Sequence, residues 1–568
     1  MGAAVRRPIT QDGLLCWTRR LPAVCLKQRI RSPCGPLPRT RTAGGAVSVP
    51  AIPMEYRVAD IITVMNLGWA YAPASEGDDA RVALHDVNCY VPRGGVIGVL
   101  GPSGSGKSTF AKALVGIVPH CTAGTLTGYA RIADMNVKST SVSNLSLRVG
   151  YVGQEPWGQL VAETVEEEIA LPLENRGVAP DEIRARVDEV LAMLHIEALR
   201  HRLTATLSAG ELERVAIGAA IAAGPDVLIL DEPSNTLDAQ GHDDLFAIID
   251  RMRVDGHMTT LVVEQRTRAL ARHATGVFLM VGGEIIRRTG ADIFEREGAL
   301  LESVGVDVPR GDEPTLTLAD DEPAAAKEAA VVLEHVGLRH PDSAPDEPPA
   351  LEDVSLRIER GSFVGVVGAN GSGKSTLLRL LDAQLRPRSG RVRVAGVDVA
   401  SRRTQQMARL VAYVGQDPAA TLLGGTVREE IAQGARSCGI RETEVSARAN
   451  EMIRLFDLYG VEDTPVAQLA CGQRRATALA AALAVRTPLI ALDEPLAGFD
   501  VRLRTRVLDA LAEACGRGAT VIMASGDIAA VDEYCTHAAR LDAGRLVGYG
   551  RVARDAGRAA TASQGGAR

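Results

Sequence analysis

The chain has 568 residues, 46% hydrophobic, 23% charged and only 3% aromatic, with a formal net charge of −7. That length holds about two to four domains with cores of their own, and the composition is that of a globular protein rather than a disordered or fibrous one. No run approaches the uncharged apolar stretch of about 18 residues that spans a membrane, and the acidic balance argues against general nucleic-acid binding.

Residues 1 to 53 come first. Arg6, Arg7, Arg19, Arg20, Lys27, Arg29, Arg31, Arg39 and Arg41 face Asp12 alone, a local charge of +8 that leaves −15 on the remainder. No continuous apolar stretch suits a secretory signal. The segment reads either as a disordered basic arm able to reach anionic lipid or RNA, or as translated sequence upstream of a true start at Met54; the second is favoured. Cys16, Cys25 and Cys34 lie nine residues apart without CxxC spacing or flanking His, so they do not form a metal set. The other six cysteines are scattered, as in a cytosolic protein with reduced thiols.

Val96-Ile97-Gly98-Val99-Leu100 is a short apolar strand entering Gly101-Pro102-Ser103-Gly104-Ser105-Gly106-Lys107-Ser108, with helix-forming residues from Thr109 onward. The pattern is G-x-x-x-x-G-K-[ST]. Its glycines let backbone N–H groups wrap phosphates, its lysine neutralises β/γ oxygens, and its serine hydroxyl meets Mg²⁺. Further on, Leu207-Ser208-Ala209-Gly210-Glu211 opens a helical run from Leu212 to Ala223. A helix N-terminus carries free N–H groups and a positive dipole suited to a phosphate, although Ser208 equally suits an ordinary N-cap. Val227-Leu228-Ile229-Leu230 is a buried strand delivering Asp231 and Glu232 to the phosphate end of a sheet. The first acid suits a Mg²⁺ contact and the second the polarising of an attacking water; a surface turn closed by Pro233 is the bland alternative, which the upstream phosphate loop makes the weaker one.

Val306 to Ala330 is rich in Pro, Ala and acid and reads as a linker with little to bury. Beyond it the design repeats. Phe363-Val364-Gly365-Val366-Val367 enters Gly368-Ala369-Asn370-Gly371-Ser372-Gly373-Lys374-Ser375, followed by Thr376, and Leu489-Ile490-Ala491-Leu492 ends in Asp493 and Glu494. Lys107 precedes Asp231 by 124 residues and Lys374 precedes Asp493 by 119. Two matches at similar spacing make the chain a doubled nucleotide machine. The Ala/Gly/Arg-rich tail after about Arg551 is expected to fray.

These motifs resemble a tandem pair of ATP-binding cassette ATPase domains, over residues 56 to 300 and 331 to 553, with a basic leader (1 to 53), an acidic linker (301 to 330) and a disordered tail (554 to 568) outside them. The resemblance implies an α/β fold of two P-loop NTPase domains, each with a mainly parallel sheet core, a β-subdomain and a helical subdomain. It also implies ATP and Mg²⁺ as ligands and ATP hydrolysis as the activity. Gln154 in Tyr151-Val152-Gly153-Gln154-Glu155-Pro156 and Gln416 in Tyr413-Val414-Gly415-Gln416-Asp417-Pro418 match the family's Q-loop, which reaches metal and water. Ser208 and Gly210 match the signature motif, with Leu469-Ala470-Cys471-Gly472-Gln473 as counterpart. Asp238 and Asp500 match the D-loop, and Tyr71 and His340 stand where the family stacks an aromatic on adenine. Family domains pair head to tail, each ATP lying between one half's phosphate loop and the other's signature. The expected metal contacts are Ser108, Gln154, Asp231, Ser375, Gln416 and Asp493; the expected catalytic residues are Glu232, Glu494 and Gln265.

The chain departs from the pattern in four places. The family's switch histidine is Gln265 in the first half and Gly526 in the second, while the second signature has Ala470 for serine and Cys471 for glycine. One site therefore combines Lys107, Glu232 and Gln265 with an altered signature. The other combines Lys374 and Glu494 with Ser208 but no switch side chain, so the two sites should differ.

The stretch Glu155 to Gly177, with Gln159, Thr164-Val165-Glu166-Glu167-Glu168-Ile169-Ala170 and Glu174-Asn175, resembles ATPases of energy-coupling factor (ECF) vitamin or transition-metal importers, as does Glu264-Gln265-Arg266. Gly425-Thr426-Val427-Arg428-Glu429-Glu430-Ile431-Ala432 echoes it. That resemblance implies an integral-membrane scaffold (T-type) subunit and a small substrate-binding membrane subunit as partners, no nucleic acid, and a place at the cytoplasmic face of the cell membrane through those partners. The acids Glu166 to Glu168 otherwise read as a solvated helix face. A fused sugar-importer ATPase and a soluble tandem-cassette translation factor are the alternatives.

Overall fold

A computed structural model describes residues 60–73, 80–233, 239–256, 258–309, 315–319, 328–340, 348–417 and 421–553. The leader, Asp238, residues 310–314 and 320–327 of the linker, Pro418 and the tail lie outside these residues. Each half is built on a mainly parallel sheet. In the first, the order is Glu284–Thr289, Gly276–Val281, Val96–Leu100, Thr259–Val263, Val227–Asp231, Val149–Val152, antiparallel only at the Glu284–Thr289 edge. The second repeats it with Arg545–Val552, His537–Asp542, Phe363–Val367, Thr520–Ala524, Leu489–Asp493 and Val411–Val414. The central strands are buried end to end, which is why they read as unbroken apolar runs rather than alternating ones.

A four-stranded antiparallel sheet covers one face of each core, led by Asp60–Tyr71 in the first half and Ala329–Leu338 in the second. Three helices form the other lobe of the first half: Val165–Glu174, Pro180–Met193 and Ala209–Ala222. Their counterparts are Val427–Ser437, Glu442–Leu455 and Cys471–Val485. Reciprocal caps start the first helix of each set. Thr164 Oγ1 accepts from Glu167 N at 3.4 Å while Glu167 Oε2 accepts from Thr164 N at 3.0 Å, and Thr426 and Glu429 do the same at 3.3 and 2.9 Å.

The connecting segment differs from expectation. Val306 is 4% exposed in the first core, Leu316 is 6% exposed in the second, and Leu318–Ala319 pairs antiparallel with Arg551 and Val552. The alternating pairs Val306/Val308 and Leu316/Leu318 are too short, among prolines and acids, to announce an element, yet they pin the chain to both cores. Truncating Leu316 to Ala should destabilise the second half by about 2–5 kcal/mol, the usual loss for such a core deletion, visible as an earlier transition in calorimetry. A merely draped linker would leave the melting curve unchanged.

Candidate functional site

The strand order sets the site. In the first half, four adjacent strand ends carry the phosphate loop, Glu264-Gln265, Asp231-Glu232 and Gly153-Gln154, in that spatial sequence. The second half lines up its loop, Ser525-Gly526, Asp493-Glu494 and Gly415-Gln416 in the same way. This is the carboxyl edge of a parallel sheet, where α/β proteins bind ligands.

Each phosphate loop is held from within. Gly101 has φ 151°, and a Cβ there would lie 2.1 Å from the Met280 carbonyl oxygen; at Gly368 (φ 154°) it would lie 2.2 Å from that of Leu541. Only glycine fits such an approach. Lys107 Nζ donates to the carbonyls of Gly101 and Pro102, both at 2.8 Å, and Lys374 Nζ to those of Gly368 and Ala369 at 2.7 and 2.9 Å. Burial pulls the Lys107 ammonium below its ordinary pKa, opposed by Glu232, Asp231 and, from the other half, Asp500. Gly104, Ser105, Gly106, Asn370, Gly371, Ser372 and Gly373 complete the two loops.

Ser108 Oγ donates to Asp231 Oδ1 at 3.0 Å, while the buried Oδ2 has no hydrogen-bond partner among the described residues. Burial first, and the Glu232 charge second, push the Asp231 carboxyl up to about 7. Asp493 repeats this, raised by burial, opposed by a hydrogen bond from Ser375, and again with an unpartnered buried Oδ2. A buried carboxylate oxygen left open beside a serine hydroxyl fits Mg²⁺, which prefers one or two protein oxygens and completes its shell with water and substrate phosphates.

Glu232 and Glu494 follow directly, both in the left-handed region at φ 57° and 46°. Non-glycine residues hold that conformation only where surrounding bonds impose it. Here Glu232 N donates to Val263 O at 2.8 Å and Glu494 N to Ala524 O at 3.0 Å. The Glu232 carboxylate accepts from Gln154 Nε2 at 2.6 Å and Gln265 Nε2 at 3.1 Å. Gln265 Nε2 also lies 3.5 Å from Ser103 Oγ, so the glutamine at the switch position bridges phosphate loop and glutamate. Among the described residues no such amide donates to Glu494; the Gly526 backbone N–H donates to its Oε1 at 2.8 Å. Burial raises its carboxyl, opposed foremost by the Arg266 cation of the other half.

Tyr71 and His340 occupy matching places: Tyr71 OH is 3.0 Å from Thr109 Oγ1, and His340 Nε2 is 3.3 Å from Thr376 Oγ1. The Tyr71 ring carries the Arg81 guanidinium at 5.2 Å from its centre.

The halves meet at the first phosphate loop. Ser103 N donates to Asp500 Oδ2 at 3.1 Å and Ser103 Oγ to the Gly498 carbonyl at 3.4 Å, while Asp500 Oδ1 caps the following helix through Leu503 N at 2.9 Å. Cys471 and Gly472 line a cavity together with Gln154 and Trp157 of the first half. Burial pushes the Cys471 thiol up to about 11, so it stays protonated there. The contact that Asp238 was expected to make falls outside the described residues. Ser208 is exposed: its hydroxyl accepts from Glu211 N at 3.4 Å and Glu211 Oε2 accepts from Ser208 N at 2.8 Å, so its O–H remains able to donate. At Ala470 only half of that box survives, Ala470 N donating to Gln473 Oε1 at 3.3 Å.

Three features escaped the sequence reading. Glu168 does not belong to a solvated face: it is 5% exposed and accepts from Val161 N and Ala162 N at 2.8 and 2.7 Å, folding the loop beyond Gln154. Glu430 does the same for Leu423 N and Gly425 N at 2.6 and 3.1 Å. The recurring Thr-Val-x-x-Glu was the available signal. The pair Arg474 and Arg475 carried none, because they act across folded elements, and Arg266, present in the Glu264-Gln265-Arg266 motif, gave no sign that it reaches Glu494 of the other half.

Compared with known proteins, the chain matches a family model described as ABC transporter over residues 84–235 and 351–497. TTE1589 of Caldanaerobacter subterraneus, named as an ABC transporter ATP-binding protein, is 31% identical over 524 residues, covering 86% of this chain and 91% of that protein. A Streptomyces avermitilis protein of the same description is also 31% identical over 524 residues, covering 84% and 92%. Among solved structures, cbiO1 from Clostridium perfringens, part of the ABC transporter complex cbiONQ, shares 27% identity over 44% of this chain and 95% of its own, with a TM-score of 0.38.

Proposed function

The chain belongs to the ABC transporter family as an ATP-binding ATPase with two cassettes, and from that premise we propose that it energises an ECF-type importer of a vitamin or transition-metal ion. No helix among the described residues is long and apolar enough to cross a membrane, so passage of cargo calls for membrane-embedded partners. In this reading they are a T-type scaffold and a small substrate-binding subunit, and the chain works at the cytoplasmic face of the cell membrane. The supporting observation is an apolar surface immediately beyond Gln154. Trp157, Val161 and Leu203 are 41%, 75% and 45% exposed, and Leu203 is brought beside that loop by its bridge to Thr164 and by the Thr204 hydroxyl donating to Ala162 O at 2.8 Å. Leu423 is 77% exposed at the matching place in the second cassette. Such surfaces suit apolar helices of a partner.

ATP binds between the cassettes, its triphosphate on the Gly101–Ser108 and Gly368–Ser375 loops, with Lys107 and Lys374 turning from loop carbonyls to phosphate oxygens. Ser108, Gln154 and Asp231, and Ser375, Gln416 and Asp493, would hold Mg²⁺, which when bound neutralises charge developing on the phosphates. Glu232 and Glu494 orient and polarise the attacking water. Gln154 grips Glu232 and lines one cavity with Trp157 of the apolar surface, so movement of a docked helix reaches the glutamate through it.

Affinity capture of the full chain from its native membranes should bring down a scaffold and a small integral-membrane protein, and Val161→Asp should reduce their recovery at least severalfold. Recovery of ribosomes, or of a periplasmic-type sugar-binding protein in place of the small membrane subunit, overturns the importer assignment.

A further inference from the structure

Arg474 and Arg475 stand side by side near the start of the second signature helix, Cys471–Val485, and their guanidinium groups part. Arg474 crosses to the first cassette and donates to Glu155 Oε1 at 2.7 Å. Arg475 stays in its own cassette, donating to the carbonyls of Ala497 at 2.5 Å and Gln416 at 3.2 Å. Each arginine therefore holds a different Q-loop. Glu155 directly follows Gln154, whose amide grips Glu232 at 2.6 Å. Ala497 directly precedes Gly498, and Gly498 and Asp500 hold Ser103 of the first phosphate loop.

The connection is one-sided. In the first signature, Leu212 stands where Arg474 stands in the second, and Asp417 stands where Glu155 does. Leucine cannot make the reciprocal bond. The one-sidedness coincides with the altered signature: at Ala470 no hydroxyl is available to dock on a phosphate, and the cap of the helix is half lost. Arg474 and Glu155 are both partly buried, with 26% and 35% of their side-chain surface exposed, which shields the pair from full solvent screening.

We propose that Arg474 and Glu155 are positioning residues for hydrolysis at the site built on the first phosphate loop. Their ion pair ties the second signature helix to the first Q-loop, so that docking of that helix sets Gln154 and through it Glu232. It supplies the linkage that the serine-free signature lacks. This inference rests on the reading of the chain as an ATPase with head-to-tail sites.

The test is a charge swap in the full chain. Arg474→Glu and Glu155→Arg should each lower kcat for ATP about tenfold, the low end of coupling across close interfacial charge pairs, with a smaller change in KM. Arg474→Lys should retain most activity, and the swap of both residues should recover turnover to within a few-fold of the unaltered chain. Singles that turn over ATP normally, or a swap no better than the worse single, overturn the proposal. If the unaltered chain itself lacks Mg-ATP hydrolysis, the functional reading fails instead. The pair is then judged on melting midpoints alone, where each single must be lowered and the swap restored, and any other outcome overturns it.

Discussion

Replacing both glutamates, Glu232→Gln and Glu494→Gln, should lower ATP turnover by about 10²–10⁴-fold, the range lost when a positioned base is removed, while leaving ATP binding intact. The geometry gives the reason. Gln154 and Gln265 present amide donors to the two oxygens of Glu232, and a glutamine in its place turns one acceptor into a third donor. Water then faces a group that neither accepts its proton nor is correctly aimed. Glu494 accepts from a backbone N–H and faces the Arg266 cation, which a neutral side chain answers less well. Because the two carboxylates are held by different partners, the single variants should be unequal in effect. Single-turnover measurements on each would apportion hydrolysis between the sites. A double variant that still hydrolyses ATP at a tenth of the normal rate or faster would remove both residues from the chemistry.

Much of this arrangement was legible in the chain because its signals are local. Gly101 to Ser108 and Gly368 to Ser375 declare themselves by type and spacing, and Asp231-Glu232 and Asp493-Glu494 by the apolar strands they terminate. What lines them up is the strand order, and that depends on contacts between segments more than a hundred residues apart, such as Val96 with Thr260 and Ile97 with Gly276. The burial of Glu168 and Glu430 was hidden for a related reason. In a helix their spacing reads as an exposed acidic face, and only the preceding loop, returning its N–H groups to the carboxylate, makes burial favourable. Leu316 and Arg474 lie at the far end of legibility. A short apolar pair in a polar segment and one arginine among 63 basic residues acquire meaning only from partners distant in the sequence.

Lysine removal should have the other large effect, and it can be counted. The unaltered chain should bind two ATP, Lys107→Ala or Lys374→Ala one with undiminished affinity, and the double variant neither at concentrations that saturate the unaltered chain. Lys107 is 4% exposed and its charge is felt by Glu232, Asp231 and Asp500. Without it, a triphosphate would meet these carboxylates with one buried cation fewer to offset them. Losing one charge-assisted hydrogen-bonding group costs about 1.5–3 kcal/mol, roughly ten- to a hundredfold in affinity, and the exposed acid repulsion adds to this. Lys374 is 8% exposed and held by the two equivalent carbonyls of its own loop, Gly368 and Ala369, so its loss should weaken the second site in the same direction. Equilibrium dialysis with labelled ATP gives the stoichiometry, and the melting midpoint shows whether each variant folds. Two ATP bound by the folded double variant at normal affinity would mean that the loops do not grip phosphate through these side chains.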